Sequence, residues 1–144
     1  MKKIFRFVLD TNILLVSISS KSKYHWIYQS LLQQKYEIAI TNDILMEYEE
    51  IISKKYSKFV AKNVVRNLLL SNNVKQTKVF YNWDLIQQDK DDNKFVDCAI
   101  ASNADYIVTN DKHFNCLDEV EFPTVKCINM DQFKEFCRMA NIVY

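Results

Sequence analysis

Short apolar runs along the chain alternate with longer segments in which apolar residues recur every three or four positions. The runs predict buried strands and the spaced segments predict helices with one buried face. The predicted strands are 4–9, 36–40, 74–80, 105–109 and 124–128, and the predicted helices are 13–19, 24–34, 41–54, 57–71, 93–103 and 130–139. Strands alternating with helices favour an α/β fold with three layers, α/β/α, around a central parallel sheet of about four to five strands.

The composition is that of one globular domain without a strong overall charge. The chain has 144 residues, 49% of them hydrophobic, and we expect residues 1–144 to form a single domain. A net charge of +1 gives no global field that would attract nucleic acid. The chain has no glycine, which excludes glycine-rich phosphate loops. Any bound phosphate would therefore need a metal, cationic side chains or helix N-termini.

Cysteine usage and hydropathy favour a cytoplasmic protein. The four cysteines are Cys98, Cys116, Cys127 and Cys137. They show neither a CxxC pair nor a zinc-site spacing, so we expect buried free thiols in a reducing compartment. Arg6 and Asp10 interrupt the apolar stretch near the N-terminus, which leaves it too short for a secretory signal. No segment is long enough to span a membrane, and we expect no membrane partner.

Two aspartates follow predicted strands of the same sheet. Asp10 comes directly after strand 4–9, and Asp111 follows strand 105–109. Each could simply cap the helical turn that comes next. However, the carboxyl ends of parallel strands meet at one crevice, so we expect the two carboxylates to lie close together. Buried carboxylates are unfavourable unless a cation neutralises them, and the pair therefore indicates a metal site.

Further acidic residues border the buried faces of two predicted helices. Glu47 lies three residues after Ile44 and four before Ile51, so it shares the edge of an apolar stripe. Asp97 flanks the buried face of helix 93–103, and we expect it to be a ligand. Asp92 could be the N-cap of that helix or a second contributor to the same site.

Converging carboxylates require positive charge. Two unit charges about 4 Å apart repel by roughly 4 kcal/mol at an effective dielectric constant near 20. Such a group would therefore bind protons or a divalent cation. Oxygen ligands suit Mg²⁺ or Mn²⁺ rather than zinc, and His25 and His113 lack ligand spacing. We expect both histidines to be surface or packing residues.

Four motifs occur in a fixed order along the chain. They are Asp10-Thr11-Asn12, Glu47, Phe95-Val96-Asp97-Cys98-Ala99 and Thr109-Asn110-Asp111. In this order and spacing they resemble the PIN domain family, over essentially the whole chain. Residues 91–95 and 104–112 are similar to a subgroup assigned as toxin components of toxin–antitoxin systems. Two departures are Asp97, where many members of the subgroup have glutamate, and the missing glycine near Ala104.

The resemblance implies a PIN-like fold and a metal-dependent endoribonuclease that cleaves single-stranded RNA. The implied metal-binding and catalytic quartet is Asp10, Glu47, Asp97 and Asp111, with Asp92 as a further metal ligand and Asn12 and Thr109 as supporting polar neighbours. The implied cofactor is Mg²⁺ or Mn²⁺. The implied partners are single-stranded RNA, an antitoxin protein and a second copy of the chain in a homodimer.

The expected mechanism uses up to two ions. One ion held by Asp10, Asp97 and Asp111 would orient and deprotonate a water molecule that attacks the phosphodiester. A second ion near Glu47 and Asp92 would stabilise the leaving oxygen.

Three other functions place different demands on the same positions. A receiver domain needs paired acids after the first strand, but Thr11 follows Asp10, and no aspartate ends residues 74–80. A haloacid-dehalogenase-type phosphatase needs Asp-x-Asp, and Asn12 occupies the second position. A catalytically silent PIN-like binding module, regulated by a protein partner, stays open as the alternative.

Overall fold

The computed structural model describes residues 3–142. In chain order the elements are β1 (Arg6–Leu9), α1 (Thr11–Ser17), α2 (His25–Leu32), β2 (Glu37–Ile40), α3 (Asn42–Lys55), α4 (Lys58–Leu70), β3 (Val74–Gln76), α5 (Asn93–Ser102), β4 (Tyr106–Val108), β5 (Cys127–Ile128) and α6 (Met130–Met139). Short 3₁₀ helices cover Lys90–Asp92, directly before α5, and Lys112–Glu119, between β4 and β5.

The sheet has five parallel strands in the order β3-β2-β1-β4-β5. This confirms the predicted α/β class. The chain first adds β2 and β3 on one side of β1 and later adds β4 and β5 on the other side. In such a sheet the two directions of winding leave a crevice at the carboxyl ends of the central strands. Here that crevice lies at the ends of β1 and β4, where Asp10 and Asp111 follow.

Buried aromatic side chains join the helices to the sheet. The ring of Phe7 on β1 lies 4.8 Å from that of Phe133 on α6, in an edge-to-face arrangement. On α3, the buried hydroxyl of Tyr48 donates a hydrogen bond to the carbonyl oxygen of Leu9 at 2.5 Å. That bond holds α3 against the end of β1, one residue before Asp10. The position of Glu47, the neighbour of Tyr48, is thereby fixed over the crevice.

The outer strands are shorter than predicted. Strand β3 ends at Gln76 rather than at residue 80, and β5 covers two residues rather than 124–128. Both lie at the edges of the sheet and pair on one side only, so their backbone is less constrained. After β3, residues 77–86 contain no helix or strand and pass across the carboxyl side of the sheet towards α5.

Asn103 replaces the missing glycine at the end of α5. It adopts the left-handed conformation (φ 56°, ψ 44°), which asparagine tolerates better than most residues with a side chain. The next backbone N–H, that of Ala104, donates to the carbonyl oxygen of Ala99 at 2.9 Å. The helix therefore ends as a glycine-terminated helix does, and the chain turns directly into β4.

The cysteines are free, as expected, but one of them is not buried. Cys98 and Cys137 are buried and Cys127 is partly buried, whereas Cys116 is exposed. Burial raises the pKa of the Cys98, Cys127 and Cys137 thiols to about 12, so these three are unreactive. Among the helices of residues 3–142, none has the length and apolar character needed to cross a membrane.

Candidate metal centre

Thr109 connects the two aspartates that follow the central strands. Its hydroxyl donates to Asp10 Oδ2 at 2.7 Å and accepts the backbone N–H of Asp111 at 3.0 Å. Asp10 is only 7% exposed, and its side chain makes no capping bond to α1. Burial raises the pKa of Asp10, as do the charges of Asp111 and Glu47, against the opposing effect of the Thr109 hydrogen bond. Capping of α1 therefore does not account for the buried position of the Asp10 carboxylate.

Asp92 belongs to the same group of charges. It lies directly before α5, and its side chain makes no capping bond to that helix. Its Oδ2 is buried and has no hydrogen-bond partner among residues 3–142. Burial raises the pKa of Asp92 to about 7, together with the charges of Asp89, Asp111 and Asp10. This buried carboxylate oxygen is thus available to coordinate a cation.

His113 lies between two of these carboxylates. Its Nδ1 is 3.5 Å from Asp111 Oδ1 and 3.8 Å from Asp92 Oδ2. Within the described chain Nδ1 forms no hydrogen bond with suitable geometry. Ligand atoms of His113, Asp92 and Asp89 all lie within 4.8 Å of one another.

Neither His113 nor Asp89 was predicted from the sequence as a metal ligand, and His113 was expected to be a surface or packing residue. The available signal was the spacing of Asp111 and His113. Asp111 Oδ1 caps the 3₁₀ helix by accepting the backbone N–H of His113 at 2.9 Å. A residue two positions after a capping aspartate is held close to it.

Glu47 faces the crevice but already has two partners. The hydroxyl of Thr11 donates to Glu47 Oε2, and Lys94 Nζ lies 2.5 Å from Glu47 Oε1. Lys94 also lies 2.9 Å from Asp91 Oδ1. Burial lowers the pKa of Lys94, but the hydrogen bonds and charges of Glu47 and Asp91 outweigh it and raise the pKa overall. The ammonium therefore stays charged, and sequence reasoning did not find this pairing.

The structure does not bring Asp97 into this group. Its Oδ1 accepts the backbone N–H of Trp83 at 3.1 Å, and the charge that acts on it is that of Asp84. Burial, with that charge, raises the pKa of Asp97. The five residues from Asp92 to Asp97 correspond to about 140° around a helix, so the two side chains leave it in different directions.

Of the two supporting residues expected from the sequence, Thr109 lies inside the group, and Asn12 is exposed on α1. The neighbouring Thr11 is the residue of that motif that contacts an acidic side chain.

The family profile of the PIN domain matches residues 6–113, from β1 to the histidine of the site. This chain belongs to the PIN domain family. The match covers every residue named in the crevice above. A comparison with curated proteins finds no match.

Solved structures share the fold of this PIN domain at low sequence identity. VapBC2 from Rickettsia felis, bound to a DNA fragment from its promoter, has a TM-score of 0.62 at 22% identity, covering 88% of this chain and 100% of that one. Mycobacterium tuberculosis VapC20, described as a sarcin-ricin-loop-cleaving toxin, has a TM-score of 0.58 at 12% identity, covering 80% and 97%. The T. brucei RRP44 PIN domain has a TM-score of 0.53 at 12% identity, covering 97% and 84%.

The residues of this PIN domain fit a hard divalent cation. Asp10, Asp92 and Asp111 offer carboxylate oxygens around one crevice, and Asp92 Oδ2 has no partner among the described residues. Such oxygen donors suit Mg²⁺ or Mn²⁺, and an imidazole at the rim is compatible with Mn²⁺. A cation in the crevice would also remove the mutual repulsion that raises the pKa values of Asp10 and Asp92.

Proposed function

We propose that this PIN domain is a metal-dependent endoribonuclease that cleaves single-stranded RNA and acts as the toxin of a toxin–antitoxin pair. The observation that carries the proposal is the buried, unpartnered Oδ2 of Asp92 beside the carboxylates of Asp10 and Asp111. Likeness to VapC20, described as a sarcin-ricin-loop-cleaving toxin, supports the biological role. The antitoxin partner and a homodimer rest on the toxin-subgroup resemblance.

In this proposal Asp10, Asp92 and Asp111 hold Mg²⁺ or Mn²⁺. When bound, the ion supplies an activated water molecule and positive charge for the phosphate. Thr109 keeps the Asp10 carboxylate oriented through its 2.7 Å hydrogen bond. Asp92, expected from the sequence at a second ion beside Glu47, takes the place expected for Asp97 at this ion, because Asp97 is directed towards the backbone of Trp83.

Single-stranded RNA is the proposed substrate because exposed aromatic rings lie beside the site. Phe80 is 90% exposed and Tyr81 is 64% exposed, on the segment that follows β3. Phe80 and Lys78 line an open cavity of about 360 Å³ together with Lys94, which also contacts Glu47 in the crevice. Unpaired bases stack on exposed aromatic rings, and lysines bind the phosphates between them.

The test is cleavage of a defined panel of RNAs with Mn²⁺ and with a chelator. We expect Asp10→Asn, Asp92→Asn and Asp111→Asn each to lower the cleavage rate by at least about a hundredfold, since each loses a charged ligand. Asp97→Asn is the matched control, because the amide oxygen can still accept the Trp83 N–H. We expect this variant to keep most of the activity.

Two outcomes would overturn the proposal. One is cleavage by the Asp92→Asn protein at the wild-type rate. The other is a wild-type protein that cleaves none of the RNAs and whose melting temperature does not rise with millimolar Mn²⁺. The second result would favour the catalytically silent binding module instead.

A further inference from the structure

Lys94 and Glu47 form an ion pair inside the candidate site. The Lys94 ammonium lies 2.5 Å from Glu47 Oε1, and the two side chains are only 16% and 21% exposed. The other oxygen of Glu47 accepts the hydroxyl of Thr11. Both carboxylate oxygens are therefore partnered, and the charge of Glu47 is balanced by this chain itself.

The remaining acids of the crevice have no such cation. The partners of Asp10 and Asp111 there are the neutral Thr109 and the backbone, and Asp92 Oδ2 has none in residues 3–142. The ring nitrogen Nδ1 of His113 is near two of these carboxylates but does not form a hydrogen bond with either. The crevice thus contains one compensated carboxylate and, next to it, a group of carboxylates that are not compensated.

The start of α5 produces this division. Asp92 and Lys94 are two residues apart, which corresponds to about 200° around a helix, so their side chains leave in nearly opposite directions. Asp92 is directed to the ends of β1 and β4, whereas Lys94 reaches Glu47 on α3. A single helix start therefore supplies an anion to one half of the site and a cation to the other.

We propose that the Lys94 ammonium takes the place of a second divalent cation beside Glu47, so that this site binds one metal ion and not two. The inference rests on the proposed function for its metal site, held by Asp10, Asp92 and Asp111. An ammonium at ion-contact distance from Glu47 excludes a divalent cation from the same oxygen, both by occupying its place and by charge repulsion.

The position of Lys94 also suits contact with a substrate phosphate. Lys94 lines the cavity of about 360 Å³ next to Phe80 and a second open cavity of about 530 Å³ that includes Glu47 and Asp91. The second cavity is lined mainly by carboxylates, so a phosphodiester would reach the Lys94 ammonium from the first cavity, which Lys78 also lines. A phosphate oxygen that would otherwise need a second ion can thus be neutralised by the protein.

The experiment counts bound Mn²⁺ per chain, by the loss of the electron paramagnetic resonance signal of free Mn²⁺ and by calorimetric titration. We expect one Mn²⁺ in the wild type. We expect two in Lys94→Met, with the second ion bound at least about tenfold more tightly than any second ion in the wild type, since one repelling charge is gone. Lys94→Gln keeps a hydrogen-bond donor for Glu47 but loses the charge, so it should also bind two Mn²⁺ ions.

Two further variants separate the role of the charge from general structural effects. Lys94→Arg retains the charge and should bind one ion. Lys54→Met is the matched control, because Lys54 pairs with Glu50 at 3.0 Å on an exposed part of α3, and it should also bind one.

The inference is overturned if the wild type binds two Mn²⁺ ions with similar affinity, or if Lys94→Met and Lys94→Gln are folded and still bind one. A wild type that binds no Mn²⁺ overturns the proposed metal site as well, so the two failures can be told apart.

Discussion

Replacing Asp92 with asparagine should stabilise the metal-free protein at alkaline pH. Burial and the nearby charges of Asp89, Asp111 and Asp10 raise the pKa of Asp92 from 3.8 to about 7. The folded form then retains a proton that the unfolded chain releases above about pH 4. Stability is therefore lost as the pH rises from about 4 through 7 and stays low above it. Asparagine has no charge and should not show this loss.

The magnitude follows from the size of the pKa shift. A shift of about three units corresponds to about 4 kcal/mol at about 1.4 kcal/mol per unit. The Asp92 side chain is 14% exposed and lies in an open crevice, where solvent and salt screen its charge. We therefore expect less than half of that value, about 1–2 kcal/mol at pH 8. For a chain of this length, this corresponds to a rise in melting temperature of about 5 °C.

The assay is urea unfolding with a chelator present, at pH 4.5 and at pH 8. Asp92→Asn should exceed the wild type by about 1–2 kcal/mol at pH 8 and by much less at pH 4.5. Asp118→Asn is the control, because Asp118 is exposed and should change stability little at either pH. If Asp92→Asn is no more stable than the wild type at pH 8, the Asp92 carboxylate does not carry the unfavourable charge that we infer.

Three other substitutions test the elements around the site. Thr109→Val should weaken Mn²⁺ binding about tenfold in calorimetric titration, because Asp10 loses the hydrogen bond that orients it, while Thr109→Ser should retain the affinity. Equal Mn²⁺ affinities of the Val and Ser variants would contradict the role of the hydroxyl. Tyr48→Phe should lower the free energy of unfolding by about 1–2 kcal/mol, since the buried carbonyl of Leu9 at the end of β1 loses its donor. An unchanged free energy of unfolding would contradict a stabilising role for this hydrogen bond. Asn103→Ala should destabilise by about 1 kcal/mol while Asn103→Gly does not, and the opposite order would contradict the left-handed helix end.

The convergence of Asp10 and Asp111 could be predicted because it depends only on the order of elements. Alternating strands and helices give a parallel sheet, and the residues that follow adjacent strands must then meet at one edge. The two aspartates need no particular side-chain conformation for this. Thr109, which the family resemblance implied as a supporting neighbour, also follows β4 and lies between them.

The choice between Asp92 and Asp97 could not be made from the sequence. Both border the apolar face of α5, and helical spacing gives their directions relative to each other but not relative to the sheet. The course of residues 77–86, which brings Trp83 to Asp97, has no periodic pattern that predicts it. The pairing of Lys94 with Glu47 was missed for a related reason. It joins two helices that are distant along the chain, and a lysine on a helix surface has no local signal for such a partner.

The most direct test of the metal site is a crystal structure of the wild-type protein soaked in Mn²⁺, with anomalous scattering used to locate the ion. We expect a peak within ligand distance of the carboxylates of Asp10, Asp92 and Asp111, and none at Asp97. A peak bound by Asp97, or no peak in the crevice at saturating Mn²⁺, would contradict the assignment.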